Sequence, residues 1–190
     1  MKMHKFHHEN AHRLHSEERM KILPPDEILK SCGLSKGMTM VDVGCGSGYF
    51  TIPASKIVGE NGRVYAVDIQ EEMLDKLKER GLPSNVIPIL ARSDYDFPLD
   101  VGISDFTFIA FVAHENDDLE KFFNEVKRIT KDDGRVVILE WKKQHEESGP
   151  PYEERISLEE ILTKLEKFGF KILEFGELNQ SHYKVICVKG

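Results

Sequence analysis

Cysteine is scarce in this chain. Cys32, Cys45 and Cys187 are the only three among 190 residues, odd in number and scattered. They exclude a disulfide framework and fit a reducing, cytoplasmic setting. Long apolar runs are missing as well. No stretch approaches the roughly 20 residues needed to span a bilayer. The opening Met-Lys-Met-His-Lys-Phe-His-His lacks the apolar centre of a secretion signal, so a membrane is not an expected partner. The third absence is clustered positive charge. Lys and Arg number 26 against 33 Asp and Glu, a net charge of −7, and such a surface repels phosphate backbones. Nucleic acid is therefore not an expected partner either.

What is present fits a globular chain. Hydrophobic residues make up 40% and charged residues 31%, near the averages for packed domains. The length suits one domain. With no internal repeat, low-complexity block or convincing linker, residues 1–190 are expected to form a single unit, with 1–33 as a helical cap.

β-branched runs alternate with helical stretches, the pattern of βαβ units on a parallel sheet. Strands are expected at 38–43, 63–67, 85–90, 105–112 and 135–141, with Asp132-Asp133-Gly134 as a turn into the fifth. Pro88 places the third strand at an edge, and the nearly all-apolar fourth reads as central. Helices are expected at 47–58, 71–80 and 119–130. A short one starts at Pro24-Pro25-Asp26 and is closed by Gly33. Near the end, Ser157 and Glu160 form a capping box for a helix ending at Gly169. Strands at 170–175 and 183–188 follow with no helix between them, so they should pair as an antiparallel hairpin.

The sharpest feature is Val41-Asp42-Val43-Gly44-Cys45-Gly46-Ser47-Gly48-Tyr49-Phe50. It lies at the carboxyl end of the first strand, where open α/β sheets bind ligands. Alternating glycines let backbone approach a ligand, and a helix start offers free N–H donors. A phosphate loop would need Gly-Lys-Ser/Thr, which is missing. The dinucleotide fingerprint needs a glycine where Tyr49 stands, which counts against a nicotinamide oxidoreductase. Asp42 would repel a pyrophosphate but attract an α-ammonium. This chemistry favours S-adenosylmethionine, which is cationic and carries no phosphate. Asp68, at the end of the second strand, either accepts the ribose hydroxyls of that nucleoside or caps the following helix.

The loop from Asp42 to Gly48, Asp68, and Ser93-Asp94-Tyr95-Asp96-Phe97-Pro98-Leu99 together resemble the class I S-adenosylmethionine-dependent methyltransferases. The resemblance runs from about Leu34 to Trp141. It implies a Rossmann-like three-layer α/β/α sandwich on a seven-stranded, mostly parallel sheet of order 3-2-1-4-5-7-6 with an antiparallel last strand. It further implies that Asp42, Gly44, Cys45, Gly46 and Gly48 hold the methionine part and Asp68 with Ile69 the ribose. Ser93 and Asp94 would meet the adenine edge, and Ala110 would border the cofactor at the exit of strand four. Where many members carry Gly-Asp-Ala, this chain reads Ala91-Arg92-Ser93-Asp94. Tyr49 and Phe50 are placed to set an aromatic face beside a sulfonium.

In the family the methyl acceptor approaches at the exit of strand four, here Ala110 to Asn116. His114 either acts as a base oriented by Glu115 or packs beneath the next helix. His4, His7, His8, His12 and His15 make a histidine-rich start that reads as a solvated face, a lid or a metal site, and no cysteine or carboxylate pattern completes the last. Cys45 reads as a small residue in a tight turn. Phe6, Phe97, Phe106, Phe108, Phe111 and Trp141 line an acceptor pocket or fill the core. The expected activity is methyl transfer to a small-molecule acceptor chosen by the N-terminal segment and the loop 144–154. The alternative is a cofactor-binding regulatory or scaffold protein without transfer activity.

Overall fold

The structure, a computed structural model, describes residues 16–190. The histidines at positions 4 to 15 and Phe6 lie outside the described residues.

Seven strands form one sheet: β1 (Thr39–Val43), β2 (Arg63–Asp68), β3 (Val86–Leu90), β4 (Ser104–Ala110), β5 (Thr130–Trp141), β6 (Phe170–Glu177) and β7 (His182–Lys189). Their order is β3-β2-β1-β4-β5-β7-β6, with β7 antiparallel to both β5 and β6. Each parallel crossover carries the chain over one face of the sheet. β1, β4 and β5 are buried on both faces, which accounts for their near-continuous apolar sequence. Pro88 sits on edge strand β3, where its missing N–H removes no interior ladder bond.

On one face pack α2 (Pro25–Ser31), α3 (Thr51–Val58) and α4 (Glu71–Glu79), through Leu29, Ala54, Val58 and Leu77. On the other pack α5 (Leu119–Ile129) and α6 (Leu158–Lys167), through Phe122, Phe123, Val126, Ile161 and Leu165. Asp118 caps α5 by accepting from the Lys121 N–H, and the full Ser157/Glu160 capping box starts α6. A further short helix, α1 (Glu17–Ile22), precedes α2. No described helix is long and apolar enough to cross a membrane.

Most boundaries shift by one or two residues from the sequence reading, and three differences have a clear local cause. The helix expected from Ser47 begins only at Thr51, because Gly44, Gly46 and Gly48 all adopt positive φ and the chain stays in a turn through Phe50. Strand four stops at Ala110, since Phe111 turns left-handed at φ 63°. Asp132-Asp133-Gly134 is not a turn ahead of strand five but lies within it. Ser104 pairs with Thr130 and Phe106 with Arg135, so residues 131–134 bulge from the ladder. Gly134 permits the close passage, for a Cβ there would lie 2.8 Å from the Ser104 carbonyl oxygen.

Candidate active site

The strand order reverses between β1 and β4, which makes a crevice at their carboxyl ends. A cavity of about 700 Å³ opens there, within the range of about 300–1,000 Å³ typical of small-molecule sites.

The glycine loop forms one wall. The N–H groups of Gly44 and Cys45 both donate to the Val67 carbonyl, at 2.8 and 2.9 Å, folding the loop over the end of β2. Gly44 cannot be replaced cheaply. Its φ is +69°, and a Cβ would fall 2.3 Å from the Val112 Cγ2. Gly48, expected at the cofactor, does not line the cavity. It closes the loop by donating to the Cys45 carbonyl at 3.0 Å and lies against Leu77, 2.3 Å from where its Cβ would be. The other expected cofactor residues do line it: Asp42, Gly44, Cys45, Gly46, Tyr49, Phe50, Asp68, Ile69, Ser93, Asp94 and Ala110.

Asp68 is only 7% exposed. Its Oδ2 accepts from the Gly46 N–H at 2.8 Å and its Oδ1 from the Gln70 N–H at 2.9 Å. Asp68 thus braces the loop and Gln70 at the start of α4, which has no side-chain cap, and it lines the cavity.

Alternation along β1 sends Val41 and Val43 toward α5 and Asp42 toward α3. There Asp42 accepts from the Thr51 hydroxyl at 2.6 Å. Burial, only partly offset by Thr51 and reinforced by Asp68, pushes the Asp42 carboxyl up to about 7. The native state therefore holds a proton on Asp42 that the unfolded chain has released above about pH 4. This residue removes stability as pH rises from about 4 to about 7, by on the order of 4 kcal/mol at the top of the window. Asp42→Asn is expected to gain on the wild type in chemical denaturation as pH rises through that window. Parallel curves for the two proteins would show that the burial cost is absent.

The acceptor side carries the largest correction. His114 is buried and does line the cavity, but its partner is Glu140 on β5 rather than Glu115. The His114 Nδ1 lies 3.0 and 2.9 Å from the two Glu140 oxygens, and Glu140 also accepts from the His114 backbone N–H at 3.1 Å. Burial pulls the His114 pKa down, but the charge of Glu140 and the hydrogen bond to it, aided by Glu115 and Glu154, hold it above the ordinary value. With Nδ1 donating to Glu140, a neutral His114 presents a basic Nε2. The sequence carries no local sign of this pair, because β4 and β5 are brought side by side only by the sheet.

Phe97, Phe111 and Trp141 line the cavity, whereas Phe106 and Phe108 are core. Arg19, Ile22 and Leu23 from the α1 end and Glu147 to Pro151 from the loop after β5 complete the rim. The Tyr49 hydroxyl donates to the Leu23 carbonyl at 2.7 Å, and the Arg19 guanidinium lies over the Tyr49 ring at 4.7 Å. Cys32, Cys45 and Cys187 are free thiols, and no described group of residues makes a metal site.

The lining suits a cation. Glu18, Asp42, Asp68, Asp94, Glu115, Glu147 and Glu154 face it with a single arginine and no lysine. A pyrophosphate would meet repulsion, while an ammonium and a sulfonium fit. The fold and this site define a doubly wound α/β protein with one acidic, cation-suited cavity at its switch point.

Comparisons with known proteins carry this further. Residues 41–138 match the family described as Methyltransferase domain. The crystal structure of a SAM dependent methyltransferase from Aquifex aeolicus is 35% identical, with a TM-score of 0.91 over 98% of this chain and 100% of its own. The demethylmenaquinone methyltransferase of Staphylococcus aureus is 33% identical over 113 residues, 60% of this chain and 47% of the relative. The ubiquinone/menaquinone biosynthesis C-methyltransferase UbiE of Idiomarina loihiensis is 36% identical over 115 residues, 58% of this chain and 45% of the relative. The chain thus spans about half the length of these curated relatives. It belongs to the methyltransferase-domain family, within the class I S-adenosylmethionine-dependent methyltransferases.

Proposed function

We propose that this chain transfers a methyl group from S-adenosylmethionine to a small-molecule acceptor in the cytoplasm, using neither a membrane nor a nucleic acid. The observation that carries the reading is that one cavity is lined both by Asp68 with the glycine loop and by His114, itself paired with Glu140. When bound, S-adenosylmethionine supplies an electrophilic methyl carbon and departs as S-adenosylhomocysteine.

The protein's own part is positioning, which can lower the barrier by several kcal/mol. Asp68 accepts from the ribose hydroxyls, and Asp42 with the loop carries the amino-acid end. Ser93 and Asp94 meet the adenine edge, and Tyr49 and Phe50 exclude water beside the sulfur. On the acceptor side, the His114 Nε2 takes the proton of the attacking group as its lone pair forms the new bond to carbon. Glu140 stabilises the imidazolium until that proton passes to solvent. The names of the curated relatives, a demethylmenaquinone methyltransferase and a ubiquinone/menaquinone biosynthesis C-methyltransferase, support a small-molecule acceptor.

Calorimetry is expected to show binding of S-adenosylmethionine and S-adenosylhomocysteine, and a metabolite screen is expected to show methyl-dependent release of S-adenosylhomocysteine. Cofactor binding without release of S-adenosylhomocysteine across the screen would favour the regulatory reading.

A further inference from the structure

Three buried side-chain atoms among the described residues have no hydrogen-bond partner: the Arg19 Nε, the Asn116 Oδ1 and the His182 Nε2. Buried polar atoms are nearly always satisfied. All three residues line the same cavity, so the unmet pairing is concentrated where a ligand would lie. The most constrained of the three is His182, which is 3% exposed.

Its tautomer follows from its neighbours. The Asn179 Oδ1 accepts from the backbone N–H of Ser181 at 3.0 Å and of His182 at 2.9 Å. The Asn179 amide nitrogen donates to the Ile22 carbonyl at 3.0 Å. The amide orientation is therefore fixed, and the His182 Nδ1, 2.9 Å from the same oxygen, must carry the proton and donate. In a neutral ring the Nε2 is then a lone pair. Burial, together with Arg19, Arg155 and Lys142 and against the pull of Glu146, takes the His182 pKa down to about 4, so the ring is neutral at physiological pH. His114 is held up and His182 down. Such a pair divides the labour between a proton-taking base and a hydrogen-bond acceptor that keeps its lone pair.

The surroundings are flat and aromatic. His182 pairs with Trp141 across β5 and β7, with ring centroids 4.2 Å apart, and the Phe111 ring is 4.9 Å from His182 and 5.8 Å from Trp141. Arg19 stands 5.6 Å over the Phe111 ring. Phe111 is the only described non-glycine residue at positive φ. A bulky side chain in that conformation costs roughly 1–3 kcal/mol, and such strain gathers where a side chain must be aimed.

We propose that His182 is a specificity-determining residue of the acceptor subsite: its Nε2 accepts a hydrogen bond from a hydroxyl on a planar aromatic acceptor lying against Phe111 and Trp141, with Arg19 as the cationic neighbour. The inference rests on the methyl-transfer reading of this cavity. The proton stays on the hydroxyl held by His182, and the proton released in the reaction goes to His114.

The test uses the full chain saturated with S-adenosylhomocysteine and three probes, 1-naphthol, naphthalene and cyclohexanol, titrated by calorimetry. 1-Naphthol is expected to bind roughly tenfold more tightly than naphthalene, the worth of one buried hydrogen bond, with cyclohexanol weakest. His182→Phe is expected to make 1-naphthol and naphthalene equal, and His182→Gln to restore part of the preference through its amide oxygen. Both variants should keep wild-type affinity for S-adenosylhomocysteine. Nitrogen NMR of the imidazole should show the Nδ1–H tautomer at neutral pH.

Equal affinity for the two arenes in the wild type, a preference that survives in His182→Phe, or an Nε2–H ring would overturn the assignment. If S-adenosylhomocysteine itself does not bind, it is the methyl-transfer reading that fails, and the arene comparison on the free protein still reads the subsite.

Discussion

Asp68→Ala is expected to lose at least roughly a hundredfold in affinity for S-adenosylmethionine and S-adenosylhomocysteine. The carboxylate is nearly buried and already braced by the Gly46 and Gln70 N–H groups, so it is held in place at little further entropic cost. Each charge-assisted bond to a ribose hydroxyl contributes roughly 1.5–3 kcal/mol. Two such bonds correspond to a loss of about 10² to 10⁴ in affinity. Alanine also frees the Gly46 N–H and loosens the loop. Asp68→Asn keeps the shape but removes the charge and turns an amide NH2 toward either the Gly46 or the Gln70 N–H, and a loss of at least about tenfold is expected. Calorimetry decides the matter: tight binding retained by a well-folded Asp68→Ala protein would sink the pocket assignment.

His114→Ala should lower turnover by about 10² to 10⁴, the usual worth of a positioned base, while binding of S-adenosylhomocysteine is unchanged. Glu140→Gln tests how that base is tuned. Glutamine keeps one acceptor oxygen where the carboxylate uses Oε1 for the His114 backbone N–H and Oε2 for that of Trp141, and it removes the negative charge that holds the His114 pKa up. The acid limb of the rate against pH should move to lower pH, and its plateau should fall.

Stability carries the opposite signature. A histidine held above its ordinary value stabilises the fold fully below about pH 6.5, and that contribution is lost as pH rises through the raised value. Glu140→Gln should therefore melt earlier than wild type at low pH, with the gap closing as pH rises. A rate profile that does not move would remove the Glu140–His114 pair from the chemistry.

Much of this protein can be read along the chain, because the signals concerned are local. Periodicity, caps and glycine stops mark α4, α5 and α6, and Pro88 marks an edge. The spacing from Asp42 through the glycines to Asp68 marks one wall of the cavity. Each of these depends on residues a few positions apart, or on one strand leading into its own helix. Even there the helix start was misplaced by four residues, since three positive-φ glycines hold the chain in a turn as far as Phe50.

The acceptor side was hardly legible, and for a physical reason. Glu140 reaches His114 because β5 lies beside β4, and no spacing along the chain encodes that pairing. His182 faces Trp141 because β7 returns antiparallel to β5, and Asn179 fixes the ring from the turn just before it. Arg19 arrives from the opposite end of the chain. The sequence by itself determined the succession of strands and helices along the chain, the glycine loop and the charge that suits a cationic cofactor. The tertiary structure alone decided that His114 is held above its ordinary pKa and His182 below it, because burial and neighbouring charge exist only once distant strands are packed together.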